Sequence, residues 1–334
     1  MSVTELFETK NVADDAELQF TTDGRLRHLL TLRGLKRQQM TDLLDRAETF
    51  LSPAGQPAVR SQALQRVTVG NLFFEPSTRT RASFELAAKR LGADVLNLDV
   101  NTSSRKKGES ILDMIYTLQA MHVDIMVVRD ASASVPAHIA RNVNEYVSIL
   151  NAGEADVSHP TQGLLDLLTI RQNKGGFEGL TVAIVGDIAH SRVVRSTAHG
   201  LNTLGVGELR LVSPPALAPD PDEMPFASLT DDLDDGIRDA DVVMALRIQR
   251  ERMDSLEGIP GMDEYFANYG VSAKRLELAA PDAIVMHPGP MNRGIEIESS
   301  LADSPASVIT QQVANGVAVR MAVLERVGKT MAAT

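Results

Sequence analysis

Short, nearly continuous apolar runs alternate with helical patterns along this chain, and this alternation limits its possible folds more than any other feature. The runs cover residues 67–74, 94–98, 123–128 and 147–150, then 181–185, 209–212, 242–246 and 284–286. Such runs are typical of strands buried on both faces, as in parallel sheets. Helical patterns follow them at residues 80–91, 111–121, 161–172 and 192–204. The sequence therefore predicts an α/β fold.

The eight runs divide four and four near residues 160–178, and a chain of 334 residues is long enough for about two domains. We expect two doubly wound α/β domains with parallel sheets, joined by interdomain helices. Their predicted bounds are 1–165, with an N-terminal extension of about 1–24, and 166–334. Further helices are predicted over 35–50 and 308–327. The acidic, proline-rich segment 214–235 is expected to be a surface loop.

Charge and composition exclude several classes of function. The chain has 33 basic and 44 acidic residues and a net charge of −11, which disfavours nucleic-acid binding. It has no cysteine, so disulfides, zinc–thiolate sites and cysteine nucleophiles are excluded. No apolar run is long enough for a membrane span, and the acidic N-terminus does not resemble a signal peptide. We expect a cytoplasmic protein without membrane or nucleic-acid partners.

The segment around Ser77-Thr78-Arg79-Thr80 follows a predicted strand and opens a predicted helix. Free N–H groups at a helix start attract anions, and hydroxyls with an arginine fork complete a phosphate cradle. An ordinary Ser/Thr N-cap followed by surface arginines would have the same pattern. Arginines in the first turn oppose the helix dipole, which favours the anion. The residues alone leave both interpretations open.

Two other strand ends in the first half carry polar residues. Arg129 ends the third run, and His159 and Gln162 open the helix after the fourth. Ligands of open α/β sheets bind beyond the carboxyl ends of the strands, so these side chains are candidate ligands. Alternatively, Arg129 is a surface residue and His159 a capping or packing residue. The basic segment 103–108 has the composition of a solvated loop.

In the second half, residues 186–192 follow a strand and open a helix, which suggests a dinucleotide site. The spacing G-x-G-x-x-G is missing, so this interpretation is disfavoured. Residues 287–290, His-Pro-Gly-Pro, follow the last run and predict a rigid turn. Arg192 lies at the start of the predicted helix 192–204, and Arg247 and Gln249 lie at the end of the predicted strand 242–246.

Four motifs occur in order along the chain: Ser77-Thr78-Arg79-Thr80-Arg81, Lys106-Lys107-Gly108-Glu109, His159-Pro160-Thr161-Gln162 and His287-Pro288-Gly289-Pro290. This set resembles the aspartate and ornithine carbamoyltransferase family, from about residue 25 onward. The resemblance implies an enzyme that needs no cofactor and no metal. It also implies that residues 1–165 bind carbamoyl phosphate and residues 166–334 bind aspartate, with the C-terminal helix packing back on the first domain.

The resemblance also implies roles for individual residues. The implied carbamoyl-phosphate ligands are Ser77, Thr78, Arg79, Thr80, Arg129, His159, Gln162, Gly289 and Pro290. The implied catalytic residues are Arg79, Thr80, Arg129, His159 and Lys107. The implied aspartate ligands are Lys107, Arg192, Arg247 and Gln249. In the family, the lysine loop enters the neighbouring subunit's site, which implies a homotrimer with shared active sites.

We therefore expect transfer of the carbamoyl group to L-aspartate, giving N-carbamoyl-L-aspartate and phosphate in de novo pyrimidine (UMP) synthesis. Two arginines suit two carboxylates, because each guanidinium binds one bidentately. The alternatives are a carbamoyltransferase for another amino acid and a catalytically silent scaffold subunit. The cysteine-free Pro-Gly-Pro turn disfavours ornithine, and the intact arginine and histidine set disfavours a silent chain. The resemblance further suggests a higher assembly with a dihydroorotase-like or regulatory chain.

Overall fold

The computed structural model describes residues 12–53, 55–98, 110–249 and 258–332. These residues divide into two compact units. The first contains the described residues up to Leu164 together with those from Asn315 onward, and the second is Leu165–Ala314. Each unit contains one parallel sheet with helices between its strands. The predicted fold class, α/β with two doubly wound parallel sheets, is confirmed.

The first unit contains a four-stranded parallel sheet in the order β2-β1-β3-β4. Its strands are β1 (Thr68–Phe73), β2 (Asp94–Leu98), β3 (Ile125–Asp130) and β4 (Ser148–Glu154). Its helices are α1 (Val12–Leu18), α2 (Arg37–Glu48), α3 (Thr78–Arg90), α4 (Ile111–Ala120) and α5 (Val135–Asn142). Every residue of β3 and β4 is buried, as expected for strands covered on both faces.

An amphipathic helix covers part of this sheet. Ile115 and Leu118 lie three positions apart on α4, so they share one helix face. They are buried in one cluster with Met126 and Val128 of β3. Full burial of each such side chain contributes roughly 1.5–3 kcal/mol to the free energy of folding. The apolar spacing that predicted the helix is therefore also the spacing that attaches it to the sheet.

The chain before α2 extends the edge of this sheet. Leu29 pairs in parallel with Leu150 of β4, and the Ile149 N–H donates to Nδ1 of His28 at 2.9 Å. Burial lowers the pKa of His28 to about 3, so its ring stays neutral at ordinary pH. A neutral ring leaves Nδ1 free to accept, and this bond anchors the segment beside the edge strand.

The second unit contains a five-stranded parallel sheet in the order β7-β6-β5-β8-β9. Its strands are β5 (Thr181–Val185), β6 (Glu208–Val212), β7 (Ser228–Thr230), β8 (Val242–Ala245) and β9 (Ile284–Met286). Its helices are α7 (Arg192–Leu204), α8 (Leu233–Ile237), α9 (Met262–Tyr269), α10 (Ala273–Leu276) and α11 (Ser299–Ala302). Two further helices, α6 (Pro160–Lys174) and α12 (Ile309–Ala332), contain the division between the units.

The expectation that residues 214–235 form only a surface loop is wrong. The segment contains β7, two short 3-10 helices and the start of α8, and it buries Leu217, Met224 and Leu233. These apolar residues are too far apart to show a strand or helix period. The three-residue strand β7 pairs with β6 alone, so its formation depends on a tertiary contact that local patterning does not reveal.

The strand orders identify where each sheet can bind a ligand. In the first sheet, β1 connects to β2 on one side and its neighbour β3 connects to β4 on the other side. In the second sheet, β5 connects to β6 on one side and its neighbour β8 connects to β9 on the other side. Ligands of doubly wound folds bind beyond the carboxyl ends of the strands at such positions. Within the described ranges, no helix is long and apolar enough to span a membrane.

Candidate active site

The first group of candidate residues surrounds the start of α3. β1 ends at Phe73, and Ser77 is the N-cap of α3, but its side chain makes no capping hydrogen bond to any described residue. Thr80 is buried in the first turn, whereas Arg79 is exposed. The first turn contains no acidic side chain. An anion bound here would accept hydrogen bonds from the uncapped backbone and interact favourably with the helix dipole.

Arg129 lies beside this segment because its strand neighbours β1. Phe73 and Arg129 are register partners, and the Phe74 N–H donates to the Arg129 carbonyl oxygen at 2.8 Å. The buried guanidinium donates through Nη2 to Glu75 Oε1 at 2.8 Å and through Nη1 to the Ala152 carbonyl oxygen at 3.1 Å. A buried charge needs such partners, and here they also orient the guanidinium. Arg129 is thus not a surface residue.

His159 and Gln162 follow the carboxyl end of β4. The Glu154 N–H donates to the Ser158 carbonyl oxygen, which closes a short turn before α6. The His159 carbonyl oxygen accepts the N–H groups of Gln162 at 2.9 Å and Gly163 at 3.1 Å, so His159 immediately precedes the first turn of α6. Both side chains are buried. A buried histidine at a helix start fits the capping or packing alternative, and the ligand role of His159 and Gln162 stays a prediction.

These segments form the candidate carbamoyl-phosphate site of the first unit. The start of α3 follows the carboxyl end of β1, and His159 with Gln162 follows that of β4, whereas Arg129 is the penultimate residue of β3 itself. The strands are adjacent and parallel, so these ends lie along one edge of the sheet. The helix start and the guanidinium groups suit a phosphate, and a histidine donor suits a carbonyl oxygen. Lys107 lies outside the described residues, and its role stays a prediction.

The second unit holds the candidate aspartate ligands at the ends of β5 and β8. Arg192 is the first residue of α7 and is only 5% exposed. Arg247 is half-buried and lies just beyond β8, followed closely by Gln249. β5 and β8 are adjacent and parallel. Two guanidinium groups therefore follow the carboxyl ends of neighbouring strands, where a dicarboxylate would find a cation for each charge.

Asp187 connects the two segments that carry these arginines. Its fully buried carboxylate accepts from His190 Nδ1 at 2.8 Å through Oδ1 and from the Gln249 N–H at 3.0 Å through Oδ2. Gln249 Nε2 in turn donates to the His190 carbonyl oxygen at 2.9 Å. These bonds hold the segment after β8 against the turn that precedes α7. Their effect is to restrict how far the two arginine-bearing segments can separate.

Gly186 has a packing role in this turn. Its φ is +136°, and a Cβ added there would lie 2.7 Å from the Leu246 carbonyl oxygen. Only glycine allows the chain after β5 to approach the end of β8 so closely. This close approach explains the glycine without a nucleotide, in agreement with the missing G-x-G-x-x-G spacing.

The predicted turn at residues 287–290 follows β9 and contains a cis peptide bond before Pro290. The Gly289 N–H donates to His287 Nδ1 at 2.8 Å, so the ring proton is on Nε2, which faces Glu296 Oε1 at 3.2 Å. The histidine and Glu296 are both buried. The chain bends at Gly289 as predicted, and the His287 side chain forms a hydrogen bond within the turn.

Sequence reasoning missed the residues that hold the candidate ligands in place. Glu75, Asp187 and Glu296 are acidic side chains that accept hydrogen bonds from Arg129, Gln249 and His287. A signal was present for Glu75, since it lies two residues beyond a strand end. Among the described residues, no group of three or more His, Asp or Glu side chains is arranged to hold a metal ion.

Comparisons with known proteins agree with this architecture. Residues 27–172 match the carbamoyl-P binding domain of aspartate/ornithine carbamoyltransferases, and residues 178–327 match their Asp/Orn binding domain. Aspartate transcarbamoylase from Trypanosoma cruzi, solved with aspartate and phosphate, is 30% identical, with a TM-score of 0.80 over 94% of this chain and 96% of that chain.

Two further structures are similar over most of their length. The same T. cruzi enzyme in complex with N-(phosphonacetyl)-L-aspartic acid is 31% identical, with a TM-score of 0.82 over 93% of this chain and 98% of that chain. Ornithine carbamoyltransferase from Thermus thermophilus is 26% identical, with a TM-score of 0.79 over 90% of this chain and 98% of that chain. Both domain matches and the extent of these similarities lead to one conclusion: the chain belongs to the aspartate/ornithine carbamoyltransferase family.

Proposed function

We propose that the chain is the catalytic chain of an aspartate carbamoyltransferase, which converts carbamoyl phosphate and L-aspartate into N-carbamoyl-L-aspartate and phosphate. This reaction is an early step of pyrimidine synthesis. The observation that carries the proposal is the pair of arginines that follow adjacent strands: Arg192 at the start of α7 after β5, and Arg247 just beyond β8. The hydrogen bonds of Asp187 to His190 and Gln249 join the two segments that contain them. L-aspartate has two carboxylates, and each guanidinium can bind one of them.

In this proposal carbamoyl phosphate binds at the carboxyl edge of the first unit's sheet. Ser77, Thr78, Arg79 and Thr80 hold the phosphate at the start of α3, and Gln162 adds a contact from α6. Arg129 and His159 donate to the carbonyl oxygen. Gly289 and Pro290 belong to the turn whose backbone carbonyls accept the carbamoyl NH2 group. The uncapped start of α3 supports this assignment, since it offers N–H donors to an anion.

The proposed reaction is a nucleophilic attack on the carbonyl carbon of carbamoyl phosphate. The aspartate amine attacks the carbonyl carbon, a C–N bond forms, and the carbonyl oxygen becomes negatively charged in a tetrahedral intermediate. Arg79, Thr80, Arg129 and His159 stabilise this oxygen, as preorganised donors do in an oxyanion hole. The intermediate collapses by breaking the bond to the phosphate oxygen. The leaving phosphate takes the amine proton, so the step needs no protein base.

The similarity to an ornithine carbamoyltransferase leaves the acceptor to be decided by the residues themselves. Ornithine has a cation where aspartate has its second carboxylate, and Arg247 would repel it. Ornithine carbamoyltransferases have a cysteine in the motif that matches residues 287–290, and this chain has none. A silent scaffold subunit would have no use for buried, oriented guanidinium groups such as that of Arg129.

The acceptor is tested by measuring carbamoyl transfer with aspartate and with ornithine under the same conditions. We expect colorimetric detection of carbamoyl aspartate and turnover with ornithine at least about 100-fold lower, because a mispaired buried charge costs several kcal/mol. Comparable turnover with both acceptors would reject the aspartate assignment. Absence of turnover with either, by a folded protein, would favour the scaffold alternative.

We further propose a homotrimer in which Lys107 completes the neighbouring subunit's site, in a closed ring of identical contacts. Chains with Lys107→Ala and chains with Arg79→Ala should each be nearly inactive. Dissociated, mixed in equal amounts and reassembled, they should recover about a quarter of the wild-type activity. Three-quarters of random trimers are hybrids, and each hybrid contains one intact site in three. No recovery in hybrids confirmed by native mass would contradict shared sites.

A further inference from the structure

A chain of buried hydrogen bonds within the second unit ends at His287, the first residue of the turn at residues 287–290. Gln312, in the first turn of α12, accepts the His287 N–H through Oε1 at 2.9 Å. Its Nε2 donates to Asp166 Oδ1 of α6 at 2.8 Å. Thr197 Oγ1 of α7 donates to the other oxygen, Asp166 Oδ2, at 3.1 Å. We refer to these four residues, Asp166, Thr197, Gln312 and His287, as the Asp166 relay.

All four members of the Asp166 relay are at most 2% exposed. Removing one partner from such a network leaves a buried polar group without its hydrogen bond, which is costly. The relay also fixes the orientation of its members, because each has a set donor or acceptor role within it.

The orientation of Gln312 follows from Asp166. Both carboxyl oxygens of Asp166 accept hydrogen bonds, one from Thr197 and one from Gln312, so the Gln312 amide presents its NH2 group to Asp166. Its oxygen then faces the His287 N–H, which is the group that needs an acceptor. In the opposite orientation an NH2 donor would face an N–H donor. One buried carboxylate thus determines which end of the amide meets the turn.

The relay continues into the turn through the histidine. With its N–H held by Gln312, His287 accepts the Gly289 N–H at Nδ1. The Gly289 N–H lies in the plane of the peptide bond between Pro288 and Gly289, because that bond is planar. The carbonyl group of that same peptide plane, from Pro288, therefore has its direction set by the relay. A carbonyl oxygen only accepts hydrogen bonds, so a ligand bound to it would have to carry an N–H or O–H donor.

We propose that Gln312, oriented by Asp166, is a positioning residue that aims the Pro288 carbonyl of this turn at the carbamoyl NH2 group. The inference rests on the proposed function and deepens it. Gln312 acts through the turn, and it makes the site distinguish carbamoyl phosphate from acyl phosphates of the same shape. Acetyl phosphate is the matched probe, because it has a methyl group in place of the NH2 group.

The test compares the two ligands in the Gln312→Met variant. Methionine is unbranched and fills similar space without accepting strongly from His287. We expect the dissociation constant for carbamoyl phosphate to rise about 10-fold, the scale of one hydrogen bond. The constant for acetyl phosphate should not change. Both are measured by calorimetry on the purified, folded protein, and thermal unfolding is recorded alongside.

Gln311→Met is the matched control. Gln311 is the preceding residue of α12, and it donates to Gln172 Oε1 at 2.8 Å and so lies outside the relay. The control should leave both dissociation constants unchanged. If Gln312→Met does not fold, Gln312→Asn keeps the amide but is too short to reach both partners, and the same selective loss is expected.

A variant that weakens both ligands equally, or neither, would overturn the positioning role and leave the proposed function standing. A wild-type protein that forms no carbamoyl aspartate and binds both ligands equally would overturn the proposed function itself. Selective loss of carbamoyl phosphate affinity, with a wild type that forms carbamoyl aspartate, supports both. A general structural role for Gln312 predicts equal weakening of the two ligands, whereas a lower unfolding temperature is expected in either case because a buried hydrogen bond is lost.

Discussion

Replacing Arg79 with alanine should lower the turnover of carbamoyl transfer at least about 100-fold, which is the scale for removing one oxyanion donor. The guanidinium is proposed both to bind the phosphate and to stabilise the developing negative charge. Its loss therefore affects the transition state more than the bound substrate. The measurement is kcat with saturating aspartate and carbamoyl phosphate.

The fold should survive this substitution. Arg79 is exposed, and within the described residues its guanidinium has no hydrogen-bond or ion-pair partner. A cation in the first turn of a helix opposes the helix dipole, so alanine should not destabilise α3. Far-UV circular dichroism and the thermal midpoint should match the wild type.

Arg81→Ala is the matched control for Arg79→Ala. Arg81 lies two residues further along the same exposed stretch of α3, about 200° around the helix axis from Arg79. Its removal takes away the same charge from the same helix turn but from the opposite face. We expect turnover within a few-fold of the wild type. Near-normal turnover of Arg79→Ala, or equal losses for the two variants, would contradict the assignment.

Replacing Arg247 with alanine should raise the KM for aspartate by about 10- to 100-fold, because a hydrogen-bonded charge contact contributes roughly 1.5–3 kcal/mol. The dissociation constant for carbamoyl phosphate should stay nearly unchanged, since Arg247 belongs to the proposed aspartate ligands. Arg247 is only half-buried, so the substitution leaves no large cavity. Steady-state kinetics and calorimetry separate the two effects.

Arg238→Ala provides the control for Arg247→Ala. Arg238 lies in the same unit, where it forms an exposed ion pair with Asp235 at 3.2 Å. Exposed ion pairs of this kind contribute little to the stability of the fold. Arg238 is not one of the proposed ligands, so both ligand affinities should be unchanged. Equal weakening of aspartate and carbamoyl phosphate in Arg247→Ala would show that Arg247 has a different role. An unchanged KM for aspartate would remove it from the proposed site.

Several elements could be predicted because their signal is local. The strands Asp94–Leu98, Thr181–Val185 and Ile284–Met286 and the helix Arg192–Leu204 have the predicted bounds. In each case the apolar residues recur with the period of the element, or run without interruption through a buried strand. The helix Val135–Asn142 was missed, although its early proline suits the first turn of a helix.

The candidate ligands were also predictable in part. Arg129 and Arg247 were placed at strand ends from chain order alone, because ligands in this class of fold bind at the carboxyl edge. The motifs at residues 77–81, 159–162 and 287–290 then assigned roles through the family resemblance. Their roles at the level of contacts with substrate stay predictions that the variants above would test.

The sequence by itself determined the fold class, the two parallel sheets and which segments follow strand ends, because hydrophobic periodicity is a local pattern of residues close together in the chain. Only the tertiary structure decided that Glu75 pairs with Arg129, that Asp187 holds Gln249, and that Asp166 orients Gln312. These partners are 54, 62 and 146 residues apart along the chain. No local pattern encodes such pairs, because each depends on which strands and helices become neighbours when the apolar surfaces are buried.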